Sequence, residues 1–188
     1  MATTATSTSK TAKARTTSKS KSAGSTAKKG ASSSRGQQAI TLLKADHREV
    51  EKLFGQYEKA KEDDARKVQI FRQINLALKV HMQIEEEIFY PTSREFIEDD
   101  DTVNEAEVEH QSAKDLMGQL EGMDPADPYY DAKVKVLQEM IEHHVEEEEQ
   151  EYFPECQESE MDLKAVGEQL KARKQELMAQ MGGPASAH

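Results

Sequence analysis

From Ile40 onward, apolar residues recur at the spacing of helices that turn one face to a core. Leu43, His47, Val50 and Phe54 follow steps of four, three and four, and Ile74, Leu78, His81, Ile84, Glu85 and Ile88 share a second face. Val103, Ala106, His110, Ala113 and Met117 mark a third stripe, and Leu137, Met140, Ile141, His144 and Glu148 a fourth. Polar stretches at 62–64, 98–101 and 123–128 separate the stripes and read as turns. Four helices with short joints predict an all-α, up-down-up-down four-helix bundle. Leu163, Val166, Leu170 and Leu177 predict a further amphipathic helix over about 157–180.

Each of the first four stripes holds a histidine where a bundle core is ordinarily hydrocarbon, and the second and fourth add a glutamate four residues later. Shifted by 63 residues, the chain matches itself. His47 falls on His110, His81 on His144, Glu85 on Glu148, Glu86 on Glu149 and Pro91 on Pro154. Leu53, Gly55, Gln56 and Glu58 fall on Leu116, Gly118, Gln119 and Glu121. The bundle is therefore predicted to be a duplicated helical hairpin over residues 38–156, followed by a C-terminal helix and tail over 157–188.

Composition changes the picture only at the N-terminus. Residues 1–37 are mostly Ser, Thr, Ala, Lys and Gly, with nothing to offset the entropy of ordering them, so a disordered tail is expected. Eight of the 25 basic residues lie in the first 35 positions, leaving 17 against all 36 acids in the rest of the chain. Such a body argues against gripping nucleic acid or an anionic membrane by itself. The tail reads as a solubilising segment or as a weak, non-specific nucleic-acid contact driven by counterion release. A single cysteine, Cys156, rules out an intrachain disulfide, fits a reducing cytoplasmic setting and is most simply a buried, inert thiol. Neither a secretory signal nor a membrane span is expected, since no run of about 18 apolar residues exists.

A His and a Glu four residues apart sit on one helical face and can serve one point. Taken singly, such a pair is ordinarily a surface ion pair, and a lone His on an apolar face a hydrogen-bonded core residue. Two repeats in matched register point elsewhere. Packing the hairpins together would gather His47, His81, Glu85, His110, His144 and Glu148 inside a greasy bundle, at a cost of many kcal/mol unless a metal cluster satisfied them. Imidazole plus carboxylate without thiolate suits iron or manganese better than structural zinc. Two histidines and two shared glutamates give each of two metals four protein donors. A bridging oxygen makes five, and one position stays open for a small molecule such as O2, peroxide or NO. Tyr57, Tyr90, Tyr130 and Tyr152 read as core or rim aromatics, and His188 has no evident role.

The order His47, His81-x-x-x-Glu85, His110, His144-x-x-x-Glu148, with the Tyr-Pro and Phe-Pro endings, resembles the bacterial hemerythrin-like (HHE cation-binding) proteins over about residues 38–180. The resemblance implies a non-haem, oxo- or hydroxo-bridged di-iron centre with two Fe ions, the four histidines as terminal ligands and Glu85 and Glu148 as bridges. It implies a protein that binds, senses or scavenges O2, peroxide or NO, with a di-iron stress enzyme of peroxidase or NO-reducing activity as the alternative. Ferritin-like sites use Glu-x-x-His on two helices and further glutamates on the others, an arrangement that four histidines at this spacing do not fit. Oxygen-carrying hemerythrins have His-x-x-x-His on the third helix, whereas Ala106 and Lys114 flank His110 at four residues. Their last carboxylate is an Asp five residues after its His, whereas Glu148 follows His144 by four. His143-x-x-x-Glu147 competes with His144-x-x-x-Glu148, but the repeat aligns His143 with Val80, so His144 is expected to be the ligand and His143 a surface or supporting residue.

Overall fold

The computed structural model describes residues 37–60, 63–98 and 101–182. The predicted tail, except for Gln37, and any nucleic-acid contact it makes lie outside these residues. The described chain is helical, with no strand: α1 (Gln37–Lys59), α2 (Asp64–Ile84), α3 (Tyr90–Ser93), α4 (Asp101–Glu121), α5 (Tyr130–Glu147), α6 (Phe153–Glu158) and α7 (Leu163–Met181). Asp63 caps α2 by accepting from the Arg66 N–H at 2.9 Å. The C-terminal helix starts at Leu163, later than the expected 157. Ser159 is extended, and Asp162 caps α7 by accepting from the Ala165 N–H at 3.1 Å.

α1 pairs with α2 and α4 with α5, and the two hairpins meet through α1 against α5 and α2 against α4. α7 lies across α1 and α2. Apolar packing forms two clusters. One gathers Leu43, Ile84, Phe89, Tyr90, Tyr152 and Phe153 with the buried face of α7, and the other gathers Val50, Phe54, Leu78, Met82, Met117 and Ile141. On α1, His47 stands between Leu43 of the first cluster and Val50 of the second. On α4, His110 stands between Ala106 and Ala113 in the same way. The histidines thus form a polar layer between two hydrocarbon ones.

Five-residue π-helical turns interrupt the helices at Glu85–Phe89 and again at Glu148–Tyr152, the same place in both repeats. Pro91 and Pro154 follow at the starts of α3 and α6. Proline lacks an N–H and its ring crowds the carbonyl four residues back, and a wider turn accommodates both. The turn closes where the Tyr90 N–H reaches the Glu85 carbonyl, and likewise where the Phe153 N–H reaches that of Glu148. Re-phased in this way, Glu85 and Tyr90 are both wholly buried although five residues apart. Periodicity at 3.6 residues gave no sign of these turns.

Candidate metal centre

The structure brings His47, His81, Glu85, His110, His144 and Glu148 together, all buried. His47 comes from α1, His81 from the end of α2, His110 from α4 and His144 from the end of α5, with each glutamate opening a π turn. Within each hairpin the two imidazoles face each other, with Nε2 to Nε2 separations of 3.1 Å for His47–His81 and 3.1 Å for His110–His144.

Each glutamate joins the two pairs. Glu85 Oε2 lies 3.2 Å from His81 Nε2 on its own hairpin and 3.6 Å from His110 Nε2 on the other. Glu148 Oε2 lies 3.5 Å from His144 Nε2 on its own hairpin and 3.2 Å from His47 Nε2 on the other. The donor atoms of His47, His81, Glu85 and Glu148 fall within 4.8 Å of one another, as do those of Glu85, His110 and His144. Two cation-sized clusters therefore share a carboxylate.

Outside this ring stands a second one, which also obeys the repeat. The Nδ1 atoms of His47, His110 and His144 each lie 2.9 Å from a carboxylate oxygen, of Glu149, Glu86 and Glu109 in turn. His81 Nδ1 lies 3.7 Å from Asp46. Glu149 is paired with Arg48 at 2.7 Å, Glu86 with Lys114 at 2.6 Å, and Asp46 with Lys174. Burial alone would raise the pKa values of these three acids, but the histidine and basic partner of each outweigh it and hold them below the ordinary range. The acidic runs around the cluster thus partly serve to orient histidines, a role that the sequence reading missed. Its signal was there: Asp46 and Glu109, like Glu86 and Glu149, are 63 residues apart.

The polar atoms of the cluster are arranged as a cation would need them. A carboxylate on Nδ1 fixes the proton there, so His110 and His144 turn Nε2 lone pairs toward each other at 3.1 Å. Only a proton or a cation between them relieves that contact. Burial disfavours charge on His144, but Glu148, Glu109 and Glu147 outweigh it and raise its pKa, whereas burial pushes His81 down to about 4. Burial and the neighbouring Glu148 push Glu85 well above its usual value. Glu148 is also raised by burial, but His144, His47 and His81 pull it below the usual range. Both Glu85 oxygens and Glu148 Oε2 are nonetheless buried without a hydrogen-bond partner. Buried carboxylate oxygens without hydrogen-bond partners, converging with imidazole nitrogens, fit a metal site.

His143 and His144 separate as the repeat requires. The His143 side chain is 60% exposed and pairs with Glu109 at 3.7 Å and Glu147 at 3.4 Å, whereas that of His144 is 4% exposed and faces the cluster. Tyr57, Tyr90, Tyr130 and Tyr152 are buried, and so is Cys156, whose thiol burial pushes up to about 12. Tyr90 does more than fill space, because its hydroxyl donates to Glu148 Oε1 at 3.0 Å.

A groove of about 390 Å³ opens between α1 and α5, lined in part by His47, Phe54 and Glu146. Behind it, a cavity of about 10 Å³ touches all four histidines and is otherwise walled by Val50, Leu78, Met82, Ile141 and Val145. His47, Val50, Ile141 and Val145 line both spaces. The groove and the histidine layer thus share a wall made in part of apolar side chains.

Such a bundle, with a buried His/Glu cluster at its centre, defines a cation-binding helical protein. Residues 38–156 match the family model of the hemerythrin HHE cation binding domain, and the chain belongs to that family. The fold is similar to the crystal structure of a hemerythrin HHE cation binding domain-containing protein from Mycobacterium kansasii, with a TM-score of 0.64 and 21% identity over 76% of this chain and 88% of that one. The chain is also 29% identical over 148 residues to a "DNA nickase" of Nostoc sp. (strain PCC 7120 / SAG 25.82 / UTEX 2576). That match covers 77% of this chain but only 41% of the relative. Among the described residues no helix is long and apolar enough to cross a membrane.

Proposed function

We propose that the chain is a non-haem di-iron protein that binds, senses or scavenges O2 or a related small molecule, peroxide or NO. His47 and His81 would hold one ion and His110 and His144 the other, with Glu85 and Glu148 bridging. The observation that carries this reading is the position of each glutamate Oε2 between one histidine of each hairpin. Donor chemistry favours iron: hard carboxylates and borderline imidazoles without thiolate suit iron or manganese. Bound iron would supply redox change and an open position for a small ligand.

The chain's own residues supply the rest. Glu86, Glu109 and Glu149 hold the histidine rings by their Nδ1 protons and keep Nε2 turned inward. Val50, Ile141 and Val145 line both the groove and the cavity of about 10 Å³ against the histidines, a space of about one water molecule. So small a space, behind a groove lined by Glu51, Glu142, Glu146 and Glu149, favours small, uncharged species over anionic metabolites. The test is anaerobic loading with iron(II), followed by visible spectra on separate additions of O2, H2O2 and NO. A spectral change with one of them, absent in His47→Ala, supports the reading. No response to any of the three refutes it.

A peroxidase or NO-reducing enzyme is the alternative use of the same site, separated by multiple turnovers where a sensor or carrier gives one. A second reading, action on DNA, is favoured by the basic residues 10–35 and by the name of the Nostoc relative. Plasmid relaxation by the iron-loaded chain, lost on deleting residues 1–36, would support it.

A further inference from the structure

The repeat makes the buried layer nearly two-fold symmetric. His47 and His110, His81 and His144, Glu85 and Glu148, Asp46 and Glu109, and Glu86 and Glu149 are all counterparts. Among the buried positions that differ between the repeats, one changes the hydrogen bonding of a glutamate in the cluster. Residue 90 is tyrosine and its counterpart, residue 153, is phenylalanine.

Both rings lie on a histidine. Phe153 stacks on His47 with centroids 5.8 Å apart, and Tyr90 lies on His110 at 5.6 Å. Phe153 offers His47 only hydrocarbon. Tyr90 places its hydroxyl 3.0 Å from Glu148 Oε1 and 3.5 Å from His110 Nε2. Glu85 has no such donor, and both its oxygens are unpartnered. The neighbouring pair, Phe89 and Tyr152, carries the opposite swap, but the Tyr152 hydroxyl turns away to Ser93. Burial, then Glu148 and Glu85, push the Tyr90 phenol well above its ordinary pKa, so it remains a neutral donor.

We propose that Tyr90 is a positioning residue that makes the two metal positions inequivalent: its hydroxyl, beside His110, pins Glu148 through Oε1, whereas Phe153, beside His47, has no hydroxyl to offer. This inference rests on the two-metal reading above. A hydrogen bond to Oε1 draws charge from one bridging carboxylate and leaves the other untouched. The two cations then bind in distinguishable steps. Their affinities differ on the order of tenfold or more, the scale of one charge-assisted hydrogen bond. The site also gains a hydroxyl proton on one side only.

Cobalt(II) titrated into the metal-free full chain, followed by calorimetry and by its visible bands, tests the proposal. The wild type should take two equivalents in resolved steps. Tyr90→Phe, which removes one oxygen from a ring that keeps its packing, should still take two equivalents, with the steps merged. Tyr152→Phe loses a buried hydroxyl bonded to Ser93 and should keep the steps resolved, which excludes a general packing effect. Two indistinguishable steps in the wild type, or resolved steps persisting in Tyr90→Phe, would overturn the inference and leave the two-metal reading standing. Failure of the wild type to bind cobalt would overturn both.

Discussion

Glu148 reaches across the bundle to His47: its Oε2 lies 3.2 Å from His47 Nε2, closer than the 3.5 Å to His144 on its own helical turn. Glu85 also spans the hairpins, reaching His110 at 3.6 Å. The contact between hairpins is therefore partly made by the site itself. Cation binding and hairpin association are coupled, because a cation that binds the folded state stabilises it by mass action. Loading with metal should raise the thermal midpoint by several degrees, and Glu148→Ala should abolish the rise. Differential scanning calorimetry with and without metal measures it.

Adjacent histidines should behave oppositely. His144→Ala removes an inward Nε2 and leaves Glu148 less well held, so metal content should fall by about half or more. His143→Ala touches only Glu109 and Glu147 at the surface and should keep nearly full content, since exposed pairs are worth little. Elemental analysis of the two variants side by side decides it, and reversed effects would show the register to be wrong.

Outer carboxylates give a graded version of the same test. Glu149→Gln leaves His47 without its anionic Nδ1 partner and should weaken metal binding about 10- to 100-fold, the usual size of such effects. Arg48→Ala removes only the exposed partner of Glu149 and should cost much less. Arg48→Ala removes a positive charge where Glu149→Gln removes a negative one, so equal losses in competition titrations would mean that Glu149 matters through its pairing with Arg48 and not through its own hold on His47.

Acidity should act on metal uptake and on stability in different ways. In the cation-free protein the raised pKa values of His144 and Glu85 retain protons that an entering cation displaces. Apparent affinity should therefore fall as pH falls, by up to about tenfold per pH unit for each proton released. For stability, the folded pKa of Glu85 is raised above its usual 4.5. Its contribution is full below that value and is lost as pH rises. Glu85→Gln cannot titrate. The metal-free variant should melt a few degrees higher than the wild type at pH 8, with the gain shrinking toward pH 4.5. A variant that is less stable at pH 8 would show that Glu85 is ionised and well compensated without metal.

Much of this arrangement was legible in the sequence because a helix projects residues by a fixed rule. The 63-residue register placed Glu85 and Glu148 on inward faces and told His144 from His143. What periodicity does not encode was hidden. The π turns after Ile84 and Glu147 depend on how the chain accommodates Pro91 and Pro154, and they turn Tyr90 inward beside Glu148. The outer ring pairs residues across hairpins, Glu149 with His47 and Glu86 with His110, and such pairing follows from packing and not from local spacing. The break between α6 and α7 rests on the single cap at Asp162.

The central claim is that four histidines and two glutamates hold two iron ions in one chain. Anaerobic reconstitution with iron(II), removal of loose metal and elemental analysis test it most directly, with His47→Ala and His110→Ala measured beside the wild type. Two irons per wild-type chain and a marked loss in both variants are predicted. One zinc per chain, insensitive to either substitution, would contradict the account.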